Sequence, residues 1–292
     1  KTEGSKMFYW YTPADHTSSE TPLLIWFQGG PGSSGQLGLF FEVGPYYLDE
    51  NVNVVNRTTG NWNKNYNVLF IDQPIGTGYS VAGNENAYAT SEEEVADDLY
   101  FFLNEWYKIY DSVKEAPLYL TGESYAGHYI PAFAFKIVQE NEKSGVNMIN
   151  LKGVAIGDGL TDPCSQVHQG PQAAFDFGLV DVKTLEKSKV SAMKADIACH
   201  QQNYTAAHIY RNEMENIVAE ASGVNMYDVR EFGNYDYLHE RMDTFLNENA
   251  TKEWLNVPLE YNFATAPQVS QALYDDVMQS QADKIPYLLD HM

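Results

Sequence analysis

Basic residues and long apolar runs are scarce in this 292-residue chain. Lysine and arginine number 18 against 40 aspartates and glutamates, which gives a formal net charge of −22 at pH 7. Because nucleic acids and anionic membrane surfaces attract cations, this balance argues against either of them as a partner. It suits an acidic compartment, where partial protonation would relieve self-repulsion. No apolar run is long enough to cross a bilayer, so we expect no membrane span.

Cysteine is also rare, with only Cys164 and Cys199 present. The sequence is compatible with one disulfide between them, with pairing of each to a segment elsewhere, or with two free thiols; we favour a disulfide that staples this region. Their spacing from His168 and His200 matches no standard zinc site. The run at 49–53 begins like a calcium loop but lacks that loop's glycine and terminal glutamate. We therefore expect no metal and no cofactor.

One short motif places a serine in a sharp turn. The apolar stretch 117–121 ends in Gly122-Glu123-Ser124-Tyr125-Ala126, and a helix-prone segment follows. A strand that ends in a small-x-Ser-x-small turn and opens into a helix is typical of a nucleophile elbow, because the small residues let the backbone bend sharply. We predict that Ser124 is a nucleophile raised above the end of a sheet.

A glycine-rich loop lies upstream, after the apolar run 22–27. It reads Gln28-Gly29-Gly30-Pro31-Gly32-Ser33-Ser34-Gly35, and the lysine of a phosphate-binding loop does not follow. Acyl transfer by serine needs an oxyanion hole, usually the N–H after the nucleophile and an N–H from a loop after an earlier strand. Tyr125 and Gly30 fit these two positions. The two motifs in this order predict an α/β-hydrolase with a mostly parallel central sheet.

Strand and helix patterns alternate over residues 1–161, which we interpret as the hydrolase core. Further strands are predicted at 66–71 and 151–157, and Asp72 is interpreted as a structural residue that ties the loop after the first of these. A helix is predicted after the capping box at Ser91. Its core-facing side chains are expected to be Val95, Leu99, Phe102, Trp106 and Tyr110.

Only helix patterns appear between residues 162 and 252, where we predict an inserted helical lid. Candidate helices lie at 182–194, 206–221 and 236–246. Residues 253–292 return to the core pattern and end in a predicted helix at 284–289.

Several longer motifs together are specific for one family. They are Trp26–Ser34, Phe41–Pro45, Val68–Ser80, Gly122–Pro131 and Leu151–Gly159. The set resembles the serine carboxypeptidase family from about Met7 to the end of the chain, and most weakly between Cys164 and Trp254. The variants Gln28 and Ser33 are similar in appearance to the vitellogenic-like, lysosomal-type branch.

The resemblance implies that a peptide's terminal carboxylate is recognised without a cation. No arginine or lysine stands in the elbow or the glycine loop, and in the family the residues at Gln28, Glu42 and Glu123 form a network that holds the substrate carboxylate. A glutamic acid donates a hydrogen bond only while protonated, and crowded glutamates raise each other's pKa. The implied activity is release of C-terminal residues from peptides at acidic pH, through an acyl-enzyme on Ser124.

A serine nucleophile also needs a base, and in this fold the triad follows in the order Ser, Asp, His. The family's aspartate and histidine would both lie beyond Met292, so we expect this chain to be an N-terminal large-chain portion with those residues on a second polypeptide. His128 follows the nucleophile by four residues and is interpreted as a side chain of the elbow helix. The other histidines lack the context of a general base: His16, His168, His200, His208, His239 and His291.

Three N-x-[ST] sequons, at Asn56, Asn203 and Asn249, suit a glycoprotein. Together with the resemblance they indicate a secretory-route protein that has lost its signal segment and resides in a lysosome or vacuole or is secreted. The family also suggests a homodimer.

Two other functions are open on the same scaffold. An acyltransferase of the plant type would use the same serine on glucose esters, but we would expect it to have lost Glu42 and Glu123. A non-catalytic relative that binds or stabilises other proteins has no physical need for Ser124 or for the glycine loop. Neither fits the retained residues as well as a carboxypeptidase does.

Overall fold

The computed structural model describes residues 2–146, 148–233, 237–264 and 266–292. The chain forms two compact units, one of residues 1–159, 238–273 and 281–292 and the other of residues 160–237 and 274–280. We call them the sheet unit and the helical unit. The division predicted at 161/162 and 252/253 stays a proposal for the domain organisation. Within the described ranges, no helix combines the length and the apolar character needed to cross a membrane.

A mostly parallel sheet is the centre of the sheet unit. The strands of this unit are β1 (Tyr9–Thr12), β2 (Leu23–Phe27), β3 (Tyr46–Leu48), β4 (Val54–Asn56), β5 (Asn67–Ile71), β6 (Leu118–Glu123) and β7 (Leu151–Gly157). The central sheet has the order β1-β5-β2-β6-β7, with β1 antiparallel to β5 and the other pairs parallel. Strands β3 and β4 form a separate antiparallel hairpin.

Two of the three inner strands, β2 and β5, explain why the sequence predicted a covered sheet. Every residue of β2 and β5 is buried. Strands that are apolar along their whole length pack on both faces, which is the pattern of parallel sheets flanked by helices. The register pairs Phe27 of β2 with Gly122 of β6, so the ends of these strands meet at the same edge.

The first long helix, α1 (Glu92–Ile109), begins as predicted at Ser91, whose hydroxyl accepts the N–H of Glu94. Phe102 and Tyr110 are half-buried and not fully buried, although the rings of both pack on that of Tyr9 in β1. The buried stripe of α1 passes from Leu99 to Leu103, four residues later, whereas the prediction passed from Leu99 to Phe102, three residues later. Its larger members are Val95, Leu99, Leu103, Trp106 and Tyr107.

The second long helix, α2 (Ala126–Ser144), starts at the elbow and ends where Gly145 adopts a left-handed φ of +69°. A glycine at this position ends a helix without the steric penalty that a Cβ atom brings. Helix α2 packs on α1, β6 and β7.

The helical unit contains α3 (Pro163–Gln166), α4 (Gln169–Asp176), α5 (Val182–His200) and α6 (Tyr204–Ser222). The predicted helices at 182–194 and 206–221 are confirmed, and α5 runs six residues further than predicted. Cys164 and Cys199 form a disulfide that joins α3 to α5, as favoured from the sequence.

The chain continues with α7 (Tyr237–Asn247), α8 (Asn249–Trp254), α9 (Pro267–Ala272) and α10 (Lys284–His291). The first of these corresponds to the helix predicted at 236–246, whose first residue lies outside the described residues. In the sheet unit, Met242 and Leu246 of α7 join the cluster around Phe40 and Phe70.

Candidate active site

The elbow has the strained geometry that its sequence predicted. Ser124 lies between β6 and α2 with φ of +56°, a left-handed value that a non-glycine residue rarely adopts. Its N–H donates to the carbonyl of Gly157 on β7 at 3.0 Å, and its carbonyl accepts the N–H of Gly127 at 2.9 Å. A Cβ atom on Gly122 would lie 2.3 Å from the carbonyl oxygen of Phe27. Only glycine therefore lets β6 approach β2 so closely just before the serine.

The glycine loop touches the elbow directly. A Cβ atom on Gly29 would lie 2.7 Å from both the Ser124 Cβ and the Tyr125 amide nitrogen. Gly30, the next residue, has φ of +115°. The backbone at Gly30 and the amide of Tyr125, predicted to form the oxyanion hole, thus belong to two segments in van der Waals contact.

The three predicted carboxylate-binding residues lie together. The side-chain amide of Gln28 donates to Glu123 Oε1 at 2.7 Å and to Glu42 Oε1 at 3.3 Å. The indole N–H of Trp26 donates to Gln28 Oε1 at 2.9 Å, so the Gln28 nitrogen is the end that faces the glutamates. Gln28 is 4 % exposed, whereas both glutamates are half-buried. We call these three residues the carboxyl cluster.

Burial and mutual repulsion keep a proton in this cluster. Burial raises the pKa of Glu42 to about 8, and the neighbouring carboxyl of Glu123 contributes next. Burial also raises the pKa of Glu123, followed by the charge of Asp158. The two glutamates lie close enough for one to donate a hydrogen bond to the other. The pair therefore holds at least one proton well above the ordinary range of a carboxylic acid.

Two neighbours of the cluster were missed from the sequence. Asp158 directly follows β7, with φ of +39°, and its charge acts on both glutamates. Its place after a predicted buried strand was a usable signal, since open α/β sheets carry their sites at the carboxyl ends of strands. Trp26 was assigned only to an apolar strand, although an indole N–H in a buried strand needs an acceptor.

Asp72 ties two loops together, in line with the structural role predicted for it. It is fully buried and accepts hydrogen bonds from the hydroxyl of Ser34, from Gln36 Nε2 at 3.3 Å and from the N–H of Tyr79 at 2.9 Å. Burial raises the pKa of Asp72 to about 6, although these bonds favour the charged form. The loops after β2 and β5 are held to each other through this carboxylate.

The histidines of the described residues lie in several different surroundings. His128 is fully buried, and its ring stacks on that of Tyr125 with centroids 4.3 Å apart. His168 and His200 both lie beside Asp196, at 3.5 and 3.3 Å. His208 contacts the carbonyl of Tyr274, and burial lowers its pKa. His291 stacks on Tyr287, and His16 is exposed.

The asparagines of the three sequons, Asn56, Asn203 and Asn249, are all exposed. The Asn203 oxygen accepts the N–H of Ala206 at 3.1 Å and so caps α6. Over the described parts of the chain, no group of three or more His, Cys, Asp or Glu side chains is placed to hold a metal ion.

Comparison with known proteins places the chain in one family. The family model described as "Serine carboxypeptidase" matches residues 1–292. "Probable serine carboxypeptidase CPVL" of Dictyostelium discoideum is 36% identical over 300 residues, which cover 100% of this chain and 59% of that protein. "Serine carboxypeptidase-like 49" of Arabidopsis thaliana is 33% identical over 99% of this chain and 58% of its own length. The chain thus spans a little under three fifths of these two relatives.

A third relative and one solved structure complete the comparison. "Vitellogenic carboxypeptidase" of Aedes aegypti is 37% identical over 198 residues, which cover 68% of this chain and 41% of that protein. Kex1(delta)p, a prohormone-processing carboxypeptidase from Saccharomyces cerevisiae, superposes with a TM-score of 0.87 at 23% identity, over 99% of this chain and 69% of its own. That superposition confirms the predicted fold. The chain belongs to the serine carboxypeptidase family and has the α/β-hydrolase fold.

Proposed function

We propose that the protein is a serine carboxypeptidase that releases C-terminal residues from peptides at acidic pH through an acyl-enzyme. The observation that carries this proposal is the position of the carboxyl cluster beside the elbow. Glu123 immediately precedes Ser124 in the chain, and Gln28 binds Glu123 from the neighbouring strand end. A group that binds a terminal carboxylate here would hold the last peptide bond next to the nucleophile.

In the proposed reaction, Ser124 Oγ attacks the carbonyl carbon of the last peptide bond and passes its proton to a base. The negative oxygen of the tetrahedral intermediate is received by the N–H groups of Tyr125 and Gly30. The C–N bond then breaks, the base returns the proton to the leaving amine, and the C-terminal residue departs. Water, activated by the same base, hydrolyses the Ser124 ester and regenerates the hydroxyl.

The carboxyl cluster accounts for recognition of a chain end. At acidic pH both glutamates carry a proton, so each can donate to the substrate carboxylate, while the Gln28 amide donates to both glutamates and holds them side by side. As the pH rises, the shared proton is lost last, near the pKa of about 8 for Glu42. A cluster of two ionised glutamates would repel a carboxylate. Binding should therefore be strongest in acid and persist to neutral pH.

The base and its orienting carboxylate are proposed to be a histidine and an aspartate on polypeptide outside the present 292 residues, as a second chain. The surroundings of His128 support this, because the histidine that lies nearest to Ser124 in the chain is fully buried with its ring stacked on that of Tyr125. We also propose that the protein forms a homodimer, as the family resemblance suggests.

We further propose that the protein travels the secretory route to a lysosome or vacuole, or is secreted, and carries glycans at Asn56, Asn203 and Asn249. The exposure of the three asparagines and the Cys164–Cys199 disulfide support this, since disulfides persist in oxidising compartments.

The proposal is tested by treating the native protein, with all its polypeptides, with a fluorophosphonate probe and identifying the labelled peptide by mass spectrometry. We expect labelling at Ser124, and none in Ser124→Ala. A matched pair of peptides, one with a free C-terminal carboxylate and one amidated, is then digested. We expect release of the terminal residue from the free peptide only.

Other outcomes point to the other candidates. An unlabelled Ser124 at mildly acidic and neutral pH would contradict a peptidase and favour a non-catalytic binding protein. Labelling without release of any residue, together with transfer of an acyl group from a glucose ester, would favour an acyltransferase.

A further inference from the structure

The segment that carries Glu42 is held in a shape that needs outside support. Residues Gly38–Glu42 form a π-helix, in which the N–H groups of Val43 and Gly44 both return to the carbonyl of Gly38, at 2.9 and 3.2 Å. Such helices are rare and occur mostly as single turns at functional sites. Carbonyl groups in the last turn of a short helix have no partner within the helix.

Arg57, which directly follows β4, supplies a partner to one carbonyl of this helix and to two carbonyls just after it. Its Nη2 donates to the carbonyl of Phe40 and its Nε to the carbonyl of Gly44, each at 3.0 Å. Its own N–H donates to the carbonyl of Pro45 at 2.7 Å. Three bonds from one residue thus hold the backbone on both sides of Glu42.

The side chain suits this position chemically. A guanidinium has several donors in a rigid plane, so it can bind two carbonyls at once, which an ammonium on a flexible stem does less well. A cation also complements the negative end of a helix. The guanidinium is half-buried, lies 5.9 Å from the centre of the Tyr47 ring, and is near enough to the Glu42 carboxyl to interact with its charge.

We propose that Arg57 is a positioning residue for substrate binding: it fixes the 38–45 segment so that the Glu42 carboxyl meets Gln28 and Glu123 in the geometry that receives a peptide's terminal carboxylate. This inference rests on the proposed function. The guanidinium of Arg57 donates to backbone carbonyls and does not bind the substrate. Arg57 therefore acts on substrate binding through the position of Glu42.

The experiment compares Arg57→Met and Arg57→Lys with the wild type, using the native protein and a peptide with a free C-terminal carboxylate. Arg57→Met should raise KM roughly tenfold, the loss expected for one misplaced hydrogen bond to a charged group, and change kcat less than about threefold. The KM of Arg57→Lys should lie between those of the wild type and Arg57→Met. The control is Arg211→Met, which removes a partly buried arginine that pairs with Glu215 at 2.7 Å on α6, and should leave KM unchanged.

A double-mutant cycle separates positioning from general structural support. In a Glu42→Ala background there is no carboxyl to position, so Arg57→Met should raise KM by less than about twofold. Fluorophosphonate labelling of Ser124 should keep its wild-type rate in Arg57→Met, Arg57→Lys and Arg211→Met.

The outcomes are distinguishable. A wild type that is neither labelled nor active would defeat the proposed function itself. An active wild type with an unchanged KM in Arg57→Met, or an equal effect of Arg57→Met with and without Glu42, would overturn the role of Arg57. A fall in labelling rate in Arg57→Met would assign it to the fold of the elbow instead.

Discussion

The two units of this chain keep their shape by different means. In the sheet unit, several glycines are pressed against backbone: added Cβ atoms would lie within 3.0 Å of main-chain atoms at Gly29, Gly35, Gly44 and Gly122. In the helical unit, an added Cβ atom at Gly178 or Gly223 would meet nothing within 4 Å. Helix α5 even exposes half or more of the side chains of Val190, Met193 and Ile197 (54, 58 and 50 %).

This contrast explains why one unit is rich in motifs and the other is not. Where backbones approach closely, few residue types satisfy each position, so the sequence becomes recognisable. Helices that pack through small side chains such as Ala192 and Ala195 accept many sequences of the same pattern. The helical unit relies in addition on a covalent link, the disulfide between Cys164 and Cys199. The following predictions test the contrast, beginning with the largest effect.

Gly29→Ala should abolish most activity. The new methyl group would lie 2.7 Å from the Tyr125 nitrogen and force the glycine loop away from the elbow. We expect at least a hundredfold loss in labelling of Ser124 and in peptide release, comparable to the loss of an oxyanion-hole donor. The control is Gly223→Ala in the helical unit, which has a left-handed φ of +67° but open space, and should only lower stability by about 1 kcal/mol. Wild-type labelling of Gly29→Ala would contradict the close contact.

Replacing both cysteines by serine should weaken the helical unit selectively. The disulfide spans 35 residues, and chain-entropy estimates give about 4 kcal/mol for a loop of that length. We expect limited proteolysis to cut first within residues 160–237, while the sheet unit resists. Thermal melting followed by circular dichroism would measure the loss. Equal proteolysis rates in the wild type and the double variant would show that the disulfide does not stabilise the helical unit.

Glu42→Gln combined with Glu123→Gln should extend peptide binding to higher pH. The amides donate hydrogen bonds at every pH, whereas the wild-type pair loses its proton near the pKa of about 8 for Glu42. The measurement is KM against pH, in which the wild-type rise in alkali should disappear. An unchanged pH profile in the double variant would argue against the carboxyl cluster.

The same double variant should also change how stability depends on pH. The folded pKa of Glu42 lies above its ordinary value of 4.5, so the folded state binds more protons than the unfolded state between pH 4.5 and about 8. Stability contributed by this proton is therefore present in acid and is lost as the pH rises through that range. The melting temperature of the wild type should fall as the pH rises from 4.5 to about 8. The melting temperature of the double variant should change less over the same range.

Asp158→Asn should have a smaller effect in the opposite direction. Its charge helps to raise the pKa of Glu123 and of Glu42, so removing it lowers both values. The rise of KM should then begin at lower pH, by less than about one unit for a single exposed charge. Asp15→Asn, an exposed loop substitution with the same change in net charge, is the control and should not move the curve. A shift of the KM rise towards higher pH would contradict this effect of the Asp158 charge on the two glutamates.

The sequence predicted correctly those strands, turns and helices whose local residue pattern agrees with their place in the fold. The strand ends around Ser124 and the glycine loop belong here, because each position is dictated by main-chain contacts that few residues satisfy. Helix α5 was predicted too short, since nothing in its local pattern marks a stop at Lys194. Phe102 was expected in the core because a three-residue step looks as good as a four-residue step until a neighbour is known.

The missed residues act through partners that are distant in sequence. Arg57 lies outside the family motifs, and its importance appears only when the hairpin brings it to the carbonyls of Phe40 and Gly44. Asp158 was within a quoted motif, yet its influence on Glu123 depends on the pairing of β6 with β7. Pattern reasoning finds the chemistry-bearing residue more readily than the residues that tune or hold it.

The bond between Gln28 and Glu123 joins residues 95 positions apart, and it has a consequence for when the site exists. Closing so long a loop is a late and slow step compared with forming local helices. During synthesis and in partly folded intermediates, the two halves of the carboxyl cluster therefore belong to separate, mobile stretches of chain. On the proposed function, the site for a peptide's terminal carboxylate is therefore not assembled until β2 and β6 have paired, so folding itself would delay activity.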